Sequence, residues 1–321
     1  MKYMIVTGGF GFIGSNFIHH IMAKEPDLAI INIDCLTYAG KESNLDGIDK
    51  TRLINKNFDL GWDWNVDSIK YIIDEYTPEW IVHFAAESHV DNSIEDQSPF
   101  LKTNIYGTIH LLEAIKKAKH KVKFLHMSTD EVYGSLELNK NGMTLEVAPF
   151  HPNSPYAASK AAAECFVMAY GSTFNVPYII TNCSNVYGPR QHLEKFIPKT
   201  INHALRGKYI QVYGNGENQR DWIYVDEVCE ALEIVLSLGT FGEKYNIGTN
   251  NTTLLNNNQV ANKIINLTNA DPGLLTHVKD RPGHDLKYHV CSYKINQLGW
   301  KSTTKFDDGI AKTIDWFKVK K

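Results

Sequence analysis

A glycine-rich segment near the start of the chain constrains its fold more than any other feature. Residues 7–14 read Thr-Gly-Gly-Phe-Gly-Phe-Ile-Gly, directly after a short apolar run and directly before a helical pattern. Gly8 permits a tight turn, Gly11 lets the backbone approach a pyrophosphate, and Gly14 allows the helix to pack closely on the strand. An isolated set of glycines could mark an ordinary turn. The strand before it and the helix after it instead predict a Rossmann-type dinucleotide site.

The second predicted strand ends in an acidic residue, Asp34. A carboxylate at this place can accept hydrogen bonds from both hydroxyls of an adenosine ribose, and it would repel the 2′-phosphate of NADP. The next residue is Cys35, so no cation follows directly. We therefore expect NAD as the cofactor. Asp59 and Leu60, at the end of the third predicted strand, are weaker candidates for contacts with the adenine edge.

The first half of the chain alternates short apolar runs with helical patterns, which is typical of repeated β-α-β units. The runs are apolar throughout, which indicates strands covered on both faces, as in a doubly wound parallel sheet. Beyond about residue 185 the pattern is less regular. We expect an α/β fold: a Rossmann-type doubly wound parallel sheet in an NAD-binding domain, residues 1–184, and a smaller, mixed C-terminal domain for a nucleotide-sugar, residues 185–321. Residues 221–248 are the segment that could return to the first domain.

Composition excludes several classes of partner. Apolar residues make up 43% of the chain, yet no apolar run is long enough to span a bilayer, so we expect no membrane partner. The net charge is -3 without a dense basic block, so we expect no nucleic-acid partner. The five cysteines are odd in number and widely separated, which favours reduced thiols over disulfides and predicts no metal site. The first residues already resemble a strand, so we expect no signal peptide and a cytoplasmic location.

Tyr156 and Lys160 stand one helical turn apart, after Ser154 and Pro155, which are favourable as an N-cap and a first helical residue. A tyrosine acts as a general base only if its pKa of about 10 falls toward neutrality. We expect the lysine ammonium and the positive nicotinamide ring to lower that pKa. Alone, this spacing more often marks a core tyrosine and a surface lysine. Downstream of a dinucleotide motif it predicts redox chemistry at a hydroxyl.

Two adjacent acids follow the fifth predicted strand, in the run Thr129-Asp130-Glu131. A hydroxyl, an acid and a base together can carry out an elimination. Neighbouring residues of a strand face opposite ways, so both acids can reach one ligand only if the chain leaves strand geometry near Thr129. An ordinary acidic turn, broken by Gly134, is the alternative explanation.

Together these motifs resemble the extended short-chain dehydrogenase/reductase superfamily and, within it, the dTDP-glucose 4,6-dehydratases of deoxysugar synthesis. The resemblance covers nearly the whole chain. The superfamily resemblance rests on the glycine motif, Asp34, Thr129 and the pair Tyr156 and Lys160. The dehydratase resemblance rests on residues 128–134, because sugar epimerases usually lack the acid and base found there. The cofactor contacts expected on this basis are Gly8, Gly11, Phe12, Ile13, Gly14, Asp34, Thr37, Asp59, Leu60, Ala85, Ala86, Thr103, Tyr156, Lys160 and Cys183.

The resemblance also implies a substrate, a nucleotide-diphosphate hexose, with dTDP-glucose expected. Only five of the 33 basic residues are arginines, and two of them, Arg220 and Arg281, fall where a diphosphate would be bound. A homodimer is implied as well, through the predicted helices at residues 98–118 and 155–170. The substrate contacts expected from the resemblance are Ser88, His89, Asn185, Glu194, Lys195, Tyr213, Arg220, Asn246, Arg281 and His284.

The implied reaction is a dehydration. With Thr129 sharing its hydrogen bond, Tyr156 would take the 4-hydroxyl proton while hydride leaves C4. Glu131 would then take the C5 proton, and Asp130, held protonated, would donate to the leaving 6-hydroxyl. Return of the hydride to C6 gives a 4-keto-6-deoxy sugar, as in rhamnose-type synthesis, with no net use of cofactor.

Two other interpretations stay open. Residues 185–191 resemble the epimerase and decarboxylase branches of the superfamily, and Asn92 and Cys35 stand where the dehydratases generally have arginine and lysine. A nucleotide-sugar 4-epimerase or decarboxylase is therefore one alternative. A non-catalytic NAD-binding regulator is the other, because a fold alone does not establish activity.

Overall fold

The computed structural model describes residues 1–139, 142–250 and 254–319. The strands found there are β1 (Lys2–Thr7), β2 (Leu28–Asp34), β3 (Leu53–Asn57), β4 (Trp80–His83), β5 (Lys123–Thr129), β6 (Tyr178–Cys183), β7 (Asn185–Tyr187), β8 (Ile210–Tyr213), β9 (Gln219–Arg220), β10 (Trp222–Tyr224), β11 (Lys244–Ile247), β12 (Leu255–Asn256) and β13 (Leu275–Val278). The α-helices are α1 (Phe12–Lys24), α2 (Asn65–Tyr76), α3 (Val90–Glu95), α4 (Ser98–Phe100), α5 (Gly107–Lys117), α6 (Pro155–Phe174), α7 (Phe196–Ala204), α8 (Val225–Leu238), α9 (Asn257–Thr268), α10 (Tyr293–Asn296) and α11 (Phe306–Val319). A π-helical segment, Leu101–Tyr106, joins α4 to α5.

Seven strands form one sheet in the order β11-β6-β5-β4-β1-β2-β3. Every neighbouring pair is parallel. The predicted α/β fold with a Rossmann-type parallel sheet is confirmed. The continuous apolar runs have the expected cause, because both faces of the sheet are covered and alternate residues enter opposite cores.

Helices cover the two faces of the sheet. On one face, α1 and α8 pack with Met4 and Val6 of β1 in the first hydrophobic core. On the other face, α2, α5 and α6 pack with Ile5 of the same strand and Ile31 of β2 in the second core. Successive residues of β1 therefore serve different cores, which is the period of two expected of a strand.

A smaller layer of mixed structure follows in the second half of the chain. It contains the two-stranded pairs β8 with β13 and β7 with β10, both parallel, and β9 with β12, which is antiparallel. Helices α7, α9 and α11 enclose a third core that includes Ile201, Val260, Ile264 and Ile310. Within residues 221–248, β11 extends the large sheet beside β6, and α8 packs on α1. The division of domains between residues 184 and 185 stays a prediction.

The direction of winding reverses at the centre of the sheet. The chain runs from β1 outward to β2 and β3, and then returns to β4 on the other side of β1 before continuing outward to β5 and β6. Because all strands are parallel, their carboxyl ends meet at one edge, and a crevice opens where the order reverses. None of the described helices has the length and apolar character needed to cross a membrane.

Candidate active site

The glycine-rich turn at the end of β1 forms a cradle that side chains would fill. Gly8 has a φ of +72°, and a Cβ built on it would lie 2.7 Å from the backbone nitrogen of Ala85. A Cβ on Gly14 would lie 2.3 Å from the carbonyl oxygen of Gly8. Helix α1 begins at Phe12 with Gly11 as its N-cap, and no described side chain caps it. Its first N–H groups are thus available to an anion, which fits the pyrophosphate of a dinucleotide.

The predicted ribose and adenine contacts lie beside this turn. Asp34 ends β2, and its carboxylate accepts hydrogen bonds from the backbone N–H groups of Phe10 at 2.9 Å and Leu36 at 2.8 Å. Partial burial raises the pKa of Asp34, and these hydrogen bonds oppose that shift. Thr37 is exposed in the following loop. Leu60 is buried, but the neighbouring Asp59 carboxylate forms an ion pair with Lys102 at 2.6 Å, which occupies much of its bonding capacity.

The remaining predicted cofactor residues lie along the carboxyl edge of the sheet. Ala85 and Ala86 follow β4, and the backbone N–H of Ala85 donates to the Thr7 hydroxyl at 3.3 Å. Thr103 is half-buried in the π-helical segment. Cys183 ends β6 and is buried, with its Sγ 3.6 Å from the sulfur of Met127.

The chain leaves strand geometry directly after Thr129, which is the condition for both acids to reach one ligand. Strand β5 ends at Thr129, and a single 3-10 turn, Asp130–Tyr133, follows. The Thr129 hydroxyl accepts a hydrogen bond from the N–H of Glu131 at 3.3 Å and donates to Asp130 Oδ1 at 3.2 Å. This turn removes the strict alternation of side chains. Both acids consequently lie within electrostatic reach of Tyr156, because the charge of each raises its pKa.

The two acids have different surroundings. Asp130 is 3% exposed, and its Oδ2 has no hydrogen-bond partner among the described residues. Burial and then the charge of Glu131 raise the pKa of Asp130 well above its ordinary value. Burial also raises the pKa of Glu131, but the cations Arg281 and Arg220 oppose this shift. Asp130 is therefore the acid favoured in the protonated form, and Glu131 is the one that ionises more readily.

Tyr156 and Lys160 occupy the first turns of α6, below the two acids. The side chain of Ser154 caps the helix by accepting the N–H of Ala157 at 3.1 Å. Burial, followed by the charges of Glu131 and Asp130, raises the pKa of Tyr156, and a hydrogen bond with Thr129 opposes the shift. The lowering of this pKa by Lys160 and the nicotinamide ring stays a prediction. The Lys160 ammonium group donates to the carbonyl oxygen of Met127 at 2.7 Å, and burial lowers its own pKa to about 8.

Glu194 and Lys195 directly precede α7. Lys195 donates to the carbonyl oxygen of Ser88 at 2.5 Å, and its Nζ lies 3.9 Å from the Glu194 carboxylate. Burial lowers the pKa of Lys195, while the charges of Glu194 and Glu131 raise it. The predicted residues Ser88, Glu194 and Lys195 are therefore brought together, and the charge of Lys195 lies within electrostatic reach of Glu131.

A second group of predicted substrate residues gathers around an acid that the sequence analysis did not select. Asp91 accepts from the hydroxyl of Tyr213 at 2.9 Å and lies 3.4 Å from the guanidinium of Arg281. The ring of His284 meets that of Tyr213 edge to face at 6.2 Å. His89 caps α3 by accepting the N–H of Asn92 at 3.4 Å. Asp91 stands two residues after His89, a predicted substrate contact, so its position beside that residue was the available signal.

Arg220 lies deeper than a simple phosphate clamp. It is buried, and its guanidinium donates to the carbonyl oxygen of Asp285 at 2.8 Å and stacks on the ring of Tyr288 at 4.5 Å. The Tyr288 hydroxyl lies 3.5 Å from Glu131 Oε2 and also bonds the carboxylate of Asp285. Sequence reasoning missed Tyr288, although it stands only a few residues beyond His284.

Two predicted substrate residues differ in their placement. Asn246 is fully buried in β11, where its amide donates to the carbonyl oxygen of Thr144 at 3.0 Å and accepts from the Tyr133 hydroxyl at 3.1 Å. The structure gives no support to a substrate contact there, because the amide already has its partners. Asn185, at the start of β7, has a buried Oδ1 without a partner among the described residues. The described residues contain no group of three or more His, Cys, Asp or Glu side chains suited to a metal ion.

Comparison with known proteins agrees with this geometry. Residues 5–313 match the family model described as GDP-mannose 4,6 dehydratase. The dTDP-glucose 4,6-dehydratase of Haemophilus influenzae is 42% identical over 336 residues, with 99% of this chain and 98% of that protein covered. The crystal structure of a dTDP-glucose 4,6-dehydratase from Streptomyces venezuelae with NAD and dTDP bound is 39% identical, with 99% and 97% covered and a TM-score of 0.93.

The sugar epimerases share the architecture at lower identity. The UDP-glucose 4-epimerase of Thermotoga maritima with UDP-glucose has a TM-score of 0.89 at 28% identity, with 99% of both chains covered. The fold therefore does not separate the two activities, whereas identity favours the dehydratases, and the predicted resemblance to them is confirmed. Because the family model matches nearly the whole length, the chain belongs to the GDP-mannose 4,6-dehydratase family.

Proposed function

We propose that this protein is an NAD-dependent hydro-lyase that converts dTDP-glucose to dTDP-4-keto-6-deoxyglucose and water. The observation that carries the proposal is the turn after Thr129, which combines an acid and a base of unequal environment with Tyr156. The names of the relatives and the NAD and dTDP bound to the Streptomyces venezuelae enzyme support the choice of cofactor and nucleotide. The product would serve deoxysugar synthesis of the rhamnose type.

The order of steps follows from the acidity of the sugar. The proton on C5 of glucose is not acidic until C4 becomes a ketone, so oxidation must precede loss of water. When bound, NAD supplies the acceptor of the C4 hydride and later the donor of that hydride to C6. Gly8, Gly11 and Gly14 would hold its pyrophosphate, and Asp34 its adenosine ribose.

Tyr156 is the group assigned to the 4-hydroxyl proton. Burial and the charges of the two acids raise the pKa of Tyr156, and a hydrogen bond with Thr129 opposes this shift and favours the phenolate. Lys160 adds a positive charge one helical turn beyond the tyrosine and is held in place by the Met127 carbonyl. These contacts support an oxidation in which the proton leaves through Tyr156 as hydride leaves C4.

Elimination is assigned to the two acids. Glu131, whose ionised form Arg281 and Arg220 favour, would take the C5 proton and later return it. Asp130, whose burial favours the neutral acid, would donate its proton to the leaving 6-hydroxyl. Tyr288 would orient the Glu131 carboxylate, because its hydroxyl lies 3.5 Å from Oε2.

The diphosphate is assigned to Arg281 and the groups around it. Charge-assisted hydrogen bonds to the diphosphate, which takes no part in the reaction, would supply binding energy that holds C4, C5 and C6 against the catalytic groups. Tyr213, His284 and Lys195 surround the same space and are assigned to the nucleotide-sugar.

The direct test uses dTDP-glucose deuterated at C4. The deuterium should appear at C6 of a 4-keto-6-deoxy product, detected by mass spectrometry and NMR. Deuterium retained only at C4 of a recovered hexose would refute dehydration and favour the epimerase alternative. Parallel assays with UDP-, CDP- and GDP-glucose test the choice of base.

The alternatives receive less support. Residues 185–191 resemble epimerases, but the epimerase structure shares 28% identity against 39% for the dehydratase. The buried acid Asp130 has no task in epimerisation, and the paired environments of the two acids would be unexplained in a non-catalytic regulator.

We also propose a cytoplasmic homodimer. Several large apolar side chains are exposed around α5 and α6, including Leu101, Tyr106, Phe166 and Phe174. A second copy of the chain covering these helices would remove that surface from water.

A further inference from the structure

Glu164 is a buried carboxylate on α6, one helical turn beyond Lys160, and no proposed step uses it. It is fully buried. A carboxylate in such a place requires partners, because burial of an unpaired charge is costly. Its Oε1 accepts hydrogen bonds from Ser128 Oγ at 2.5 Å and from Asn182 Nδ2 at 2.6 Å, and its Oε2 lies 3.6 Å from Lys244 Nζ.

Two of these partners hold the start of the catalytic turn. Ser128 is the residue before Thr129 on β5. The amide of Asn182, on the neighbouring strand β6, also donates to the carbonyl oxygen of Thr129 at 3.2 Å. Glu164 therefore fixes, through two side chains, the last two residues before the chain turns out of the strand.

The third partner reaches the end of the same turn. Tyr133 is the last residue of the turn. The ammonium group of Lys244 lies 5.0 Å from the centre of the Tyr133 ring and 4.7 Å from the centre of the Phe150 ring. A cation over aromatic rings is attracted to them, most strongly where water is excluded. Glu164 and Lys244 thus hold Asp130–Tyr133 from both ends.

We propose that Glu164 is a positioning residue for the elimination: through Ser128, Asn182 and Lys244 it fixes the turn that carries Asp130 and Glu131. The inference rests on the proposed function, because it concerns the step in which these acids act. The oxidation depends on it less. Tyr156 and Lys160 lie on α6, and Lys160 is also held by the carbonyl oxygen of Met127.

The test separates the two steps in a single turnover of the full-length protein with bound NAD and dTDP-glucose. Absorbance of the reduced nicotinamide reports oxidation, and the keto-deoxy product reports elimination. Displacement of catalytic groups by about 1 Å can cost about a hundredfold, so Glu164→Gln should slow elimination by about tenfold to a hundredfold and oxidation by less than about threefold. Reduced cofactor should therefore accumulate.

Two further variants make the result specific. The charge of Glu164 also raises the pKa of Lys160, so Glu164→Gln changes Lys160 as well as the turn. Ser128→Ala keeps that charge. It should lower the ratio of elimination to oxidation in the same direction as Glu164→Gln, but by less. The control is Glu227→Gln. Glu227 is likewise a buried carboxylate, bonded by Thr304 and Thr303 on the far side of α8, and its removal should lower stability without changing the ratio of the two rates.

Hydrogen exchange of the substrate-free protein provides a readout that does not depend on turnover. The peptide containing residues 130–134 should exchange faster in Glu164→Gln and Ser128→Ala than in the wild type, and at the wild-type rate in Glu227→Gln. If the wild type is active but the two variants keep its ratio of elimination to oxidation rates, or its hydrogen exchange in residues 130–134, this inference alone is overturned. A wild-type protein that forms no keto-deoxy sugar overturns the proposed function, and the role in elimination with it.

Discussion

At the scale of single residues, Asp130 and Glu131 differ in what surrounds their carboxyl groups. Asp130 has one hydrogen bond from Thr129 and an unpartnered oxygen in a buried site, whereas Glu131 faces Arg220, Arg281 and the Tyr288 hydroxyl. These unequal surroundings are what the proposed roles of proton donor and proton acceptor require.

Replacement of the proposed base should separate the two halves of the reaction. Glu131→Gln keeps the size of the side chain but cannot take the C5 proton, so reduction of bound NAD should persist while product formation falls by about 10²- to 10⁴-fold. Rapid-scan absorbance with product analysis measures both. Glu25→Gln, at an exposed position, is the control. Full turnover in Glu131→Gln would contradict the assignment.

Replacement of the proposed acid should change how stability depends on pH. Burial raises the pKa of Asp130 above its ordinary value of 3.8, so the folded protein binds this proton more tightly than the unfolded chain does. Its contribution to stability is complete below the unfolded pKa and is lost as pH rises through the folded pKa. The melting temperature of Asp130→Asn, relative to the wild type, should therefore increase from pH 4 to pH 8. A constant difference would contradict a raised pKa.

At the scale of elements, the site depends on where β1, β5 and α6 begin and end. Strand β1 ends in the glycine turn, β5 ends in the 3-10 turn, and α6 begins with a capped turn that presents Tyr156 and Lys160. Helix α6 also carries Glu164, one helical turn beyond Lys160. A single helix therefore carries Tyr156 and Lys160 and supports the turn that bears the two acids. Small shifts of these ends would move several reacting groups together.

The contact between β1 and α1 provides a test at this scale. Gly14→Ala places a Cβ 2.3 Å from the Gly8 carbonyl oxygen, so the helix must move away from the turn. Overpacking of this kind costs about 1–3 kcal/mol, and the affinity for NAD should fall as the cradle opens. Thermal unfolding and NAD titration measure the two effects. Gly142→Ala, which has open space around it, should change neither.

At the scale of the whole molecule, the sheet supplies the cofactor edge and the smaller layer supplies the residues assigned to the substrate. The acids at the end of β5 lie between these two parts, within reach of Arg220 and Arg281 from the second half of the chain. Charges far apart in sequence therefore set the properties of one site.

The proposed dimer is tested at the same scale. Phe166→Glu combined with Tyr106→Glu introduces two charges into the exposed apolar surface of α6 and the π-helical segment, so the protein should become monomeric. Light scattering measures the mass in solution. Tyr71→Glu, on an exposed position of α2, is the control and should keep the mass of the wild type. An unchanged mass in the double variant would place the interface elsewhere.

Much of the fold could be predicted because its signals are local. Continuous apolar runs, the glycine turn and the capped helix at Ser154 each depend on a few adjacent residues, and the sheet they indicate is confirmed. The proposed elimination required a bend near Thr129, but the sequence alone did not establish that bend. It did not indicate Tyr288, which bonds Glu131 from 157 positions away.

By itself, the sequence determined the elements, the parallel sheet, the dinucleotide turn and the kinds of reactive group available, because these follow from spacing along the chain. Only the tertiary structure decided that Asp130, and not Glu131, has a buried carboxyl oxygen without a hydrogen-bond partner among the described residues. It also decided that Lys160 donates to a strand carbonyl and that Asn246 is enclosed in the core. The reason is physical: burial and electrostatic neighbours act through space, and the groups that set the pKa values here come from β5, α6, α7 and the loop at Arg281.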